Sequence, residues 1–398
     1  MHPPKILFIH NAVTTYRAPF FKLLDEQFDV RFVFTYPEAG DIIYGESYQH
    51  TLSELKLTDA KICKSYLSNA LPFFSEGVPL ELIKYLLAGD FGLIVDNLQS
   101  IKIVLSLLAS VIKKKPLIVW TEQWYDFERS FAGKLQSLIL ATVLRKSSAI
   151  LVAGAKAREY VYKFHVNPDL VFTMPSVSLL ESSVVDPQEV IKFKEDHGIA
   201  NKQIILYVGR LVERKGVEYL IKAFSLLRKE TDDVTLLIVG RGPCKTRLQD
   251  LASRLSTLDT VRFLDHVETE ELATIYSAST LTVVPSITHM KKEPWGLVLN
   301  EAMQFGKPVI ATDAVGAAYD LIEEARNGFL VPERDEHALY EKLKLLIGDE
   351  KLVRQMGAES KRIIDEHYQY ADMVKGFGSA IAYVCERKVK GEEECGKR

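Results

Sequence analysis

Short β-branched runs alternate with helix-patterned stretches along almost the whole chain, in two successive series. Strands joined through helices pair in parallel and are covered on both faces, so this alternation points to parallel α/β sheets. The first series is "KILFIH", "DVRFVFT", "FGLIVD", "PLIVWT" and "SAILVA", with helices expected from Tyr16 to Glu26 and from Phe131 to Lys146. The second is "QIILYVG", "VTLLIVG", "VRFLD", "LTVVPS", "PVIAT" and "GFLVP", separated by helical stretches such as "VEYLIKAFSLLRKE" and "EHALYEKLKLLI". Between the series, "MPSVSLLESSVVDPQEV" (174–190) has weak periodicity and reads as a linker. The segment "YADMVKGFGSAIAYVCERKV" reads as a closing helix and "KGEEECGKR" as a polar, frayed tail. At 398 residues the chain exceeds what one core serves, which makes two doubly wound domains the expectation. No short fixed period marks a solenoid.

Bulk properties remove several function classes. A net charge of −3 gives no global pull toward nucleic acid, and no nucleic-acid partner is expected. The four cysteines, Cys63, Cys244, Cys385 and Cys395, form no CxxC pair, which argues against zinc or a disulfide framework and fits a reducing cytosol. The start "MHPPKILFIHNAV" has too short an apolar core for a signal peptide. No apolar run reaches the length of a bilayer span. The nearest, "IVLSLLASVIKKKP", is bracketed by Lys102 and Lys113–Lys115 and reads as a buried amphipathic helix with a solvated basic end. A membrane-surface contact is the alternative. The expected location is the cytoplasm, with the inner face of the membrane as its peripheral variant.

Open α/β sheets bind ligands beyond the carboxyl ends of their strands, so a cleft between two such domains is where ligands are expected. Gly209 and Arg210 follow a strand, and Lys215 and Gly216 open the next helix. Glycine admits a close ligand and the two cations suit a phosphate, although a solvated basic loop is the default reading of Arg214 and Lys215 alone. Gly240, Gly242 and Pro243 make a second tight turn without a G-x-G-x-x-G or Walker A pattern. In "KKEPWGLVLNEAMQFGKPVIAT" (291–312), Glu293 and Glu301 flank a Pro-Trp-Gly break at a helix mouth. Such a mouth suits an anion, and the carboxylates could reach hydroxyls on either side of it. The plainer alternative is one dipole-complementing and one solvated glutamate.

"GRLVERKG", then "EPWGLVLNEAMQFGKPVIAT" and "NGFLVPERD", resemble the retaining glycosyltransferases of family four over the whole second half. Over the first half, the strand pattern and "SSAILVAGAKAREYV" match. The resemblance implies the GT-B architecture: two Rossmann-like doubly wound domains facing across a cleft. It divides the chain into an acceptor-side domain (1–175, with the C-terminal helix 371–398 packing back on it) and a donor domain (176–370). The hinge is expected near Val177–Val185. The co-substrate implied is a nucleotide-diphosphate sugar, with a glycan or lipid-linked acceptor and no cofactor or metal. Arg210 and Lys215 would neutralise the diphosphate, Gly209 would let it approach, and Gly296 and Leu297 would donate backbone N–H groups. Glu293 would contact the transferred sugar, Glu301 the ribose hydroxyls, and His266 and Val267 the base. A rise of roughly 7.5 Å over five helical residues lets Glu301 reach past a phosphate at the helix end.

Three departures accompany the resemblance. "HNAVTTYRAPFF" replaces a glycine-rich first loop, so Asn11, Tyr16 and Arg17 would shape the acceptor side. "VWTEQWYDF" offers Glu122 and Gln123 where a histidine is common, with Trp124 beside them. A hydrogen-bonded structural carboxylate is the alternative reading of Glu122. Arg241 and Asp320 replace acidic residues common at those places. The competing activities are a nucleotide-sugar epimerase or hydrolase of the same architecture, and a sugar-nucleotide-binding scaffold without catalysis. A phosphorylase would need a pyridoxal lysine site, for which there is no convincing pattern.

Overall fold

The structure is a computed structural model that describes residues 4–11, 13–37, 54–65, 79–98, 102–126, 130–180, 185–265 and 267–395. The chain divides into two units, Met1–Pro175 with Tyr370–Arg398, and Ser176–Gln369.

Among its described residues the first unit holds seven strands: β1 (Ile6–His10), β2 (Val30–Pro37), β3 (Ala60–Ser65), β4 (Leu93–Asn97), β5 (Leu117–Thr121), β6 (Ala149–Val152) and β7 (Val171–Thr173). Their order is β3-β2-β1-β4-β5-β6-β7, and all pairs are parallel. Strand β1 is central, with Ile6 opposite both Val30 and Leu93, and all five of its residues are buried. One sheet face carries an aromatic core in which Phe8 meets Phe21, Phe32, Trp120 and Phe377 at ring-centroid distances of 5.7–6.5 Å. Phe377 comes from the closing helix Tyr370–Cys395, which also meets the backbone near β7: a Cβ on Gly376 would lie 2.3 Å from the Thr173 carbonyl. That helix runs through most of the polar tail expected to fray.

The opposite face is covered by the helices Leu82–Ala88, Lys102–Lys113 and Phe131–Lys146. Helix Lys102–Lys113 packs Ile103, Val104, Leu105, Leu107 and Ala109 on the core as expected of an amphipathic helix, but polar side chains join them. Its buried residues are Lys102, Ile103, Ser106 and Ser110, while Leu108, Val111 and Ile112 face outward. The cause is Asp96 at the end of β4, wholly buried. Ser106 donates to it at 2.6 Å and the Lys102 ammonium lies 3.8 Å away, so the helix turns polar groups inward to partner a buried carboxylate.

Among its described residues the second unit has six parallel strands: β8 (Gln203–Val208), β9 (Val234–Val239), β10 (Val261–Leu264), β11 (Leu281–Val284), β12 (Val309–Thr312) and β13 (Gly328–Val331), ordered β10-β9-β8-β11-β12-β13. The order reverses at β8/β11, which places a topological switch beyond the carboxyl ends of those strands. The expected linker is not loose where it is described. Asn300 donates to the Ser176 carbonyl at 3.3 Å, and Gln304 makes two bonds with the Leu180 backbone, tying residues 176–180 to helix Val298–Gln304. Residues 181–184 lie outside the described residues, and Asp186 then caps helix Pro187–Asp196.

Candidate active site

Three strand ends of the second unit build the site. After β8, Gly209 turns at φ +149°; after β9, Gly240 turns at φ +145°. A Cβ on Gly240 would fall 2.0 Å from the Gly209 carbonyl, so only glycine lets the two turns touch backbone to backbone. Leu211 N–H to Arg241 carbonyl, 2.8 Å, locks them together. The chain then makes one short turn, Glu213–Lys215, before helix Val217–Leu227. This turn sets the Arg214 and Lys215 side chains toward the segment that follows β11.

Glu293 arrives from that segment. Its backbone bridges to the turn after β12, with Glu293 N–H on the Ala314 carbonyl and Gly316 N–H on the Glu293 carbonyl. The carboxylate is buried, and one oxygen takes the Lys215 ammonium at 2.6 Å, the Arg214 guanidinium at 2.5 Å and the Ser286 hydroxyl at 3.4 Å. Burial pushes this acid up, but Lys215 and Arg214 outweigh it and hold the carboxyl below its ordinary range. Glu293 stands five residues before helix Val298–Gln304, with its charge already engaged by two cations of another loop. That geometry removes the reading in which it only complements a helix dipole.

Glu301 lies in the first turn of the same short helix. Its two oxygens accept from Ser178 at 2.7 Å and from Tyr276 at 2.9 Å. Burial raises its pKa, opposed by those two hydroxyl bonds and by the Lys215 charge. Lys215 therefore acts on both carboxylates. Between them, Gly296 turns at φ +105°, and the N–H groups of Gly296 and Leu297 have no acceptor among the described residues. Trp295 is buried and donates to Asn300 at 3.0 Å, which makes it a packing anchor beneath the site.

Arg210 follows Gly209 in the turn after β8 and is exposed, and its side chain has no partner among the described residues. Its carbonyl accepts from the Tyr207 hydroxyl at 2.9 Å, which fixes the turn. Val267 is half-buried just past β10, and His266 lies outside the described residues. Asp265 at the same strand end pairs with Lys245 at 2.7 Å.

The residues expected on the acceptor side gather at the carboxyl ends of β1, β4 and β5 in the first unit. Arg17 is buried, pairs with Glu122 at 2.7 Å and stacks 4.3 Å over Trp120 and 5.3 Å over Tyr16. Burial opposes the charge on Arg17, but the Glu122 carboxylate more than compensates and raises its pKa. Asn97 donates to Asn11 at 3.1 Å. Gln123 donates to the Tyr125 carbonyl and the Tyr160 hydroxyl, and Trp124 packs against the core. Glu122 is thus held by an ion pair with Arg17. Among the described residues no group of three or more His, Cys, Asp or Glu is placed to hold a metal ion, and no helix is long and apolar enough to cross a membrane.

Known proteins resemble the chain in sequence and in fold. The family described as "Glycosyl transferases group 1" matches residues 189–363, nearly all of the second unit. Over that stretch the chain is similar to the group 1 glycosyltransferases. An uncharacterized glycosyltransferase of Haemophilus influenzae is 33% identical over 186 residues, 47% of this chain and 50% of that protein. A GDP-mannose-dependent alpha-(1-6)-phosphatidylinositol monomannoside mannosyltransferase of Mycolicibacterium smegmatis is 29% identical over 188 residues, 46% and 49% of the two chains. The chain thus spans about half the length of the curated relatives it matches. Among solved structures, Anabaena HepE in complex with UDP superimposes with a TM-score of 0.77 at 19% identity, covering 95% of this chain and 99% of that one. The same protein was also solved with UDP-glucose. At that identity the likeness shows the fold alone, and the fold is GT-B.

The group 1 match falls where the sequence resemblance was strongest, and it contains Lys215, Glu293 and Glu301. It also contains two residues that sequence reading passed over. Arg214 read as solvated, because charge in a loop looks alike whether paired or not. Tyr276 sits on helix Thr269–Ala278, whose apolar periodicity gives no sign that one hydroxyl reaches a carboxylate.

Proposed function

We propose that the protein transfers a glycosyl unit from a nucleotide-diphosphate sugar to a glycan or lipid-linked acceptor, with retention of anomeric configuration. The observation that carries this reading is Glu293 held between Lys215 and Arg214 at a strand-end turn. As the bond between the anomeric carbon and the phosphate oxygen breaks, negative charge grows on the leaving nucleoside diphosphate. Arg210, Lys215 and the N–H groups of Gly296 and Leu297 meet that charge from fixed positions, which is where electrostatic catalysis is strongest. The acceptor oxygen bonds to the same carbon, and its proton departs with the leaving group. Glu293 holds hydroxyls of the transferred sugar, and Glu301 the ribose. The mannosyltransferase relative named for GDP-mannose and the HepE complexes with UDP and UDP-glucose support a nucleotide-sugar donor. A cytoplasmic location and a peripheral contact with the inner face of the membrane complete the reading.

Product analysis tests it. Nucleoside diphosphate released only when acceptor is present, with product of unchanged anomeric configuration, is the expected result. Release without acceptor would instead mean a hydrolase or epimerase, and no release with any donor would mean a binding scaffold. Activity is expected to survive exhaustive chelation, because protein cations take the role a divalent ion would have. Loss of activity that magnesium restores would overturn that part.

A further inference from the structure

The polar groups of Thr288, in the segment after β11, are all taken by one dipeptide from the turn after β13. The Thr288 N–H and hydroxyl both donate to the Glu333 carboxylate, the hydroxyl at 2.6 Å. The Arg334 guanidinium donates to the Thr288 carbonyl at 2.5 Å. Arg334 does this at φ +62°, a left-handed conformation that glycine adopts freely and L side chains avoid. A residue kept there against its backbone preference is one whose side chain is needed, and such outliers gather where a site is held in shape. The Glu333 N–H in turn donates to the Asp313 carboxylate at 2.9 Å, so the clamp is itself anchored on the turn after β12.

What the clamp controls lies beside Thr288. The Ile287 N–H donates to the Arg214 carbonyl at 2.8 Å, and the Ser286 hydroxyl donates to the Glu293 carboxylate at 3.4 Å. The Ser286 carbonyl accepts from the Thr312 hydroxyl. Arg214 and Ser286, which both hold the Glu293 carboxylate, are thus set by the stretch that Thr288 ends. Beyond Thr288 the chain turns back at the exposed Met290, closed by His289 and Lys291 exchanging backbone bonds. Glu293 is then pinned to the Ala314 carbonyl, next to Asp313. Glu333 therefore ties both ends of the segment 288–293 to one turn. A carboxylate that faces a ligand from a loop needs such support, because a misplacement of about 1 Å costs on the order of a hundredfold in rate.

We propose that Glu333 and Arg334 are positioning residues for Glu293: by holding Thr288 they fix where the Glu293 carboxylate meets the transferred sugar. The inference rests on the reading of Glu293 as the sugar-side carboxylate, and its test reads binding as well as turnover, so that the two can fail separately.

The test places Glu333→Ala, Glu333→Gln and Arg334→Gly in the full chain, each alone and combined with Glu293→Gln. Calorimetric titrations with UDP, UDP-glucose, GDP and GDP-mannose are read beside kcat and melting curves. Glu333→Ala and Arg334→Gly are each expected to lower kcat roughly thirtyfold and to weaken the nucleotide sugar by about fivefold. The matching nucleoside diphosphate should bind within about twofold of wild type, because it carries no sugar for Glu293 to meet. Glu333→Gln, whose amide oxygen still accepts a bond from Thr288, should lie between. Arg334→Gly should melt close to wild type, since glycine relieves the left-handed backbone as the guanidinium bond is lost. In the Glu293→Gln background none of the three changes should lower kcat or sugar affinity further, because the residue they position is gone. Losses that add in full to those of Glu293→Gln overturn the proposal. So do equal losses for nucleoside diphosphate and nucleotide sugar, which mark a merely structural role, or turnover and sugar affinity left unchanged by Glu333→Ala and Arg334→Gly. If wild type binds donors but transfers nothing, the functional reading fails and the titrations alone decide this inference. If wild type binds none of the four ligands, both fall.

Discussion

At the scale of single residues, the two glutamates of the site differ in what their charge does to the fold. Glu293 is held below the ordinary carboxylate range, so its ionisation stabilises the native state. That stabilisation is complete above the unfolded value near about 4.3 and is lost as pH falls through the lowered native value. Glu301 is raised, so its ionisation costs stability, with the cost absent below the unfolded value and complete above the raised native one. Glu293→Gln is therefore expected to lower stability by on the order of 1–3 kcal/mol at neutral pH, while Glu301→Gln is at least as stable as the parent. Kinetics should separate them differently: the sugar-side change lowers kcat, and the ribose-side change raises KM. Melting curves and steady-state rates of both variants check this, and equal behaviour of the two would refute it. Arg210→Ala and Lys215→Ala should each lower kcat by roughly 10²–10³. Only Lys215→Ala should also lower the melting temperature, because the Arg210 side chain has no partner to lose among the described residues. Near-normal turnover in both variants, with the fold intact, would remove them from the mechanism. Lys215, Glu293 and Glu301 were singled out in the sequence through the family resemblance of "GRLVERKG" and "EPWGLVLNE". The partners that set their charge states, Arg214, Tyr276 and Ser178, were not, since they are joined by contacts 25 to 123 residues apart in the chain.

At the scale of elements, legibility followed burial. All eleven strands read from the sequence are present, because strands covered on both faces must be apolar throughout. The two that were missed lie at the sheet edges. β3 is "AKICKS", with exposed Lys61 and Lys64 of the kind that protects an open edge, and β7 is only three residues long. Helix Lys102–Lys113 shows the opposite failure: its composition pointed to burial, but the sequence cannot reveal that a buried Asp96 claims its polar side. The closing helix is the element on which the first unit's aromatic core most depends, because Phe377 enters from the far end of the chain to meet Phe8, Phe20 and Phe28. Phe377→Ala is expected to cost about 3–5 kcal/mol, the range for emptying a fully buried aromatic site. Denaturant unfolding followed by Trp120 fluorescence measures it, and a loss below about 1 kcal/mol would mean that the helix is dispensable to that core.

At the scale of the whole molecule, the chain builds one sheet, crosses at residue 176 to build another, and returns at Tyr370 to finish the first. Each unit has its own core, so a ligand confined to one should stabilise that one without ordering the other. The crossing favours the second unit: residues 176–180 are hydrogen-bonded to helix Val298–Gln304, and Ser178 contacts Glu301 directly. Ribose bound at Glu301 would therefore steady the crossing segment along with the strand-end turns. Amide hydrogen exchange with and without a nucleoside diphosphate reads this out. At a hundred times Kd the ligand contributes about 2.7 kcal/mol to whatever opening it opposes, a slowing of about a hundredfold where exchange requires the site to open. Peptides spanning 176–180, 209–216 and 293–301 are expected to slow, and those from β1, β4 and β5 to stay unchanged. Equal protection in both units would place nucleotide contacts on the first unit as well. Protection of 209–216 without 176–180 would show that Glu301 binds its ligand without involving Ser178.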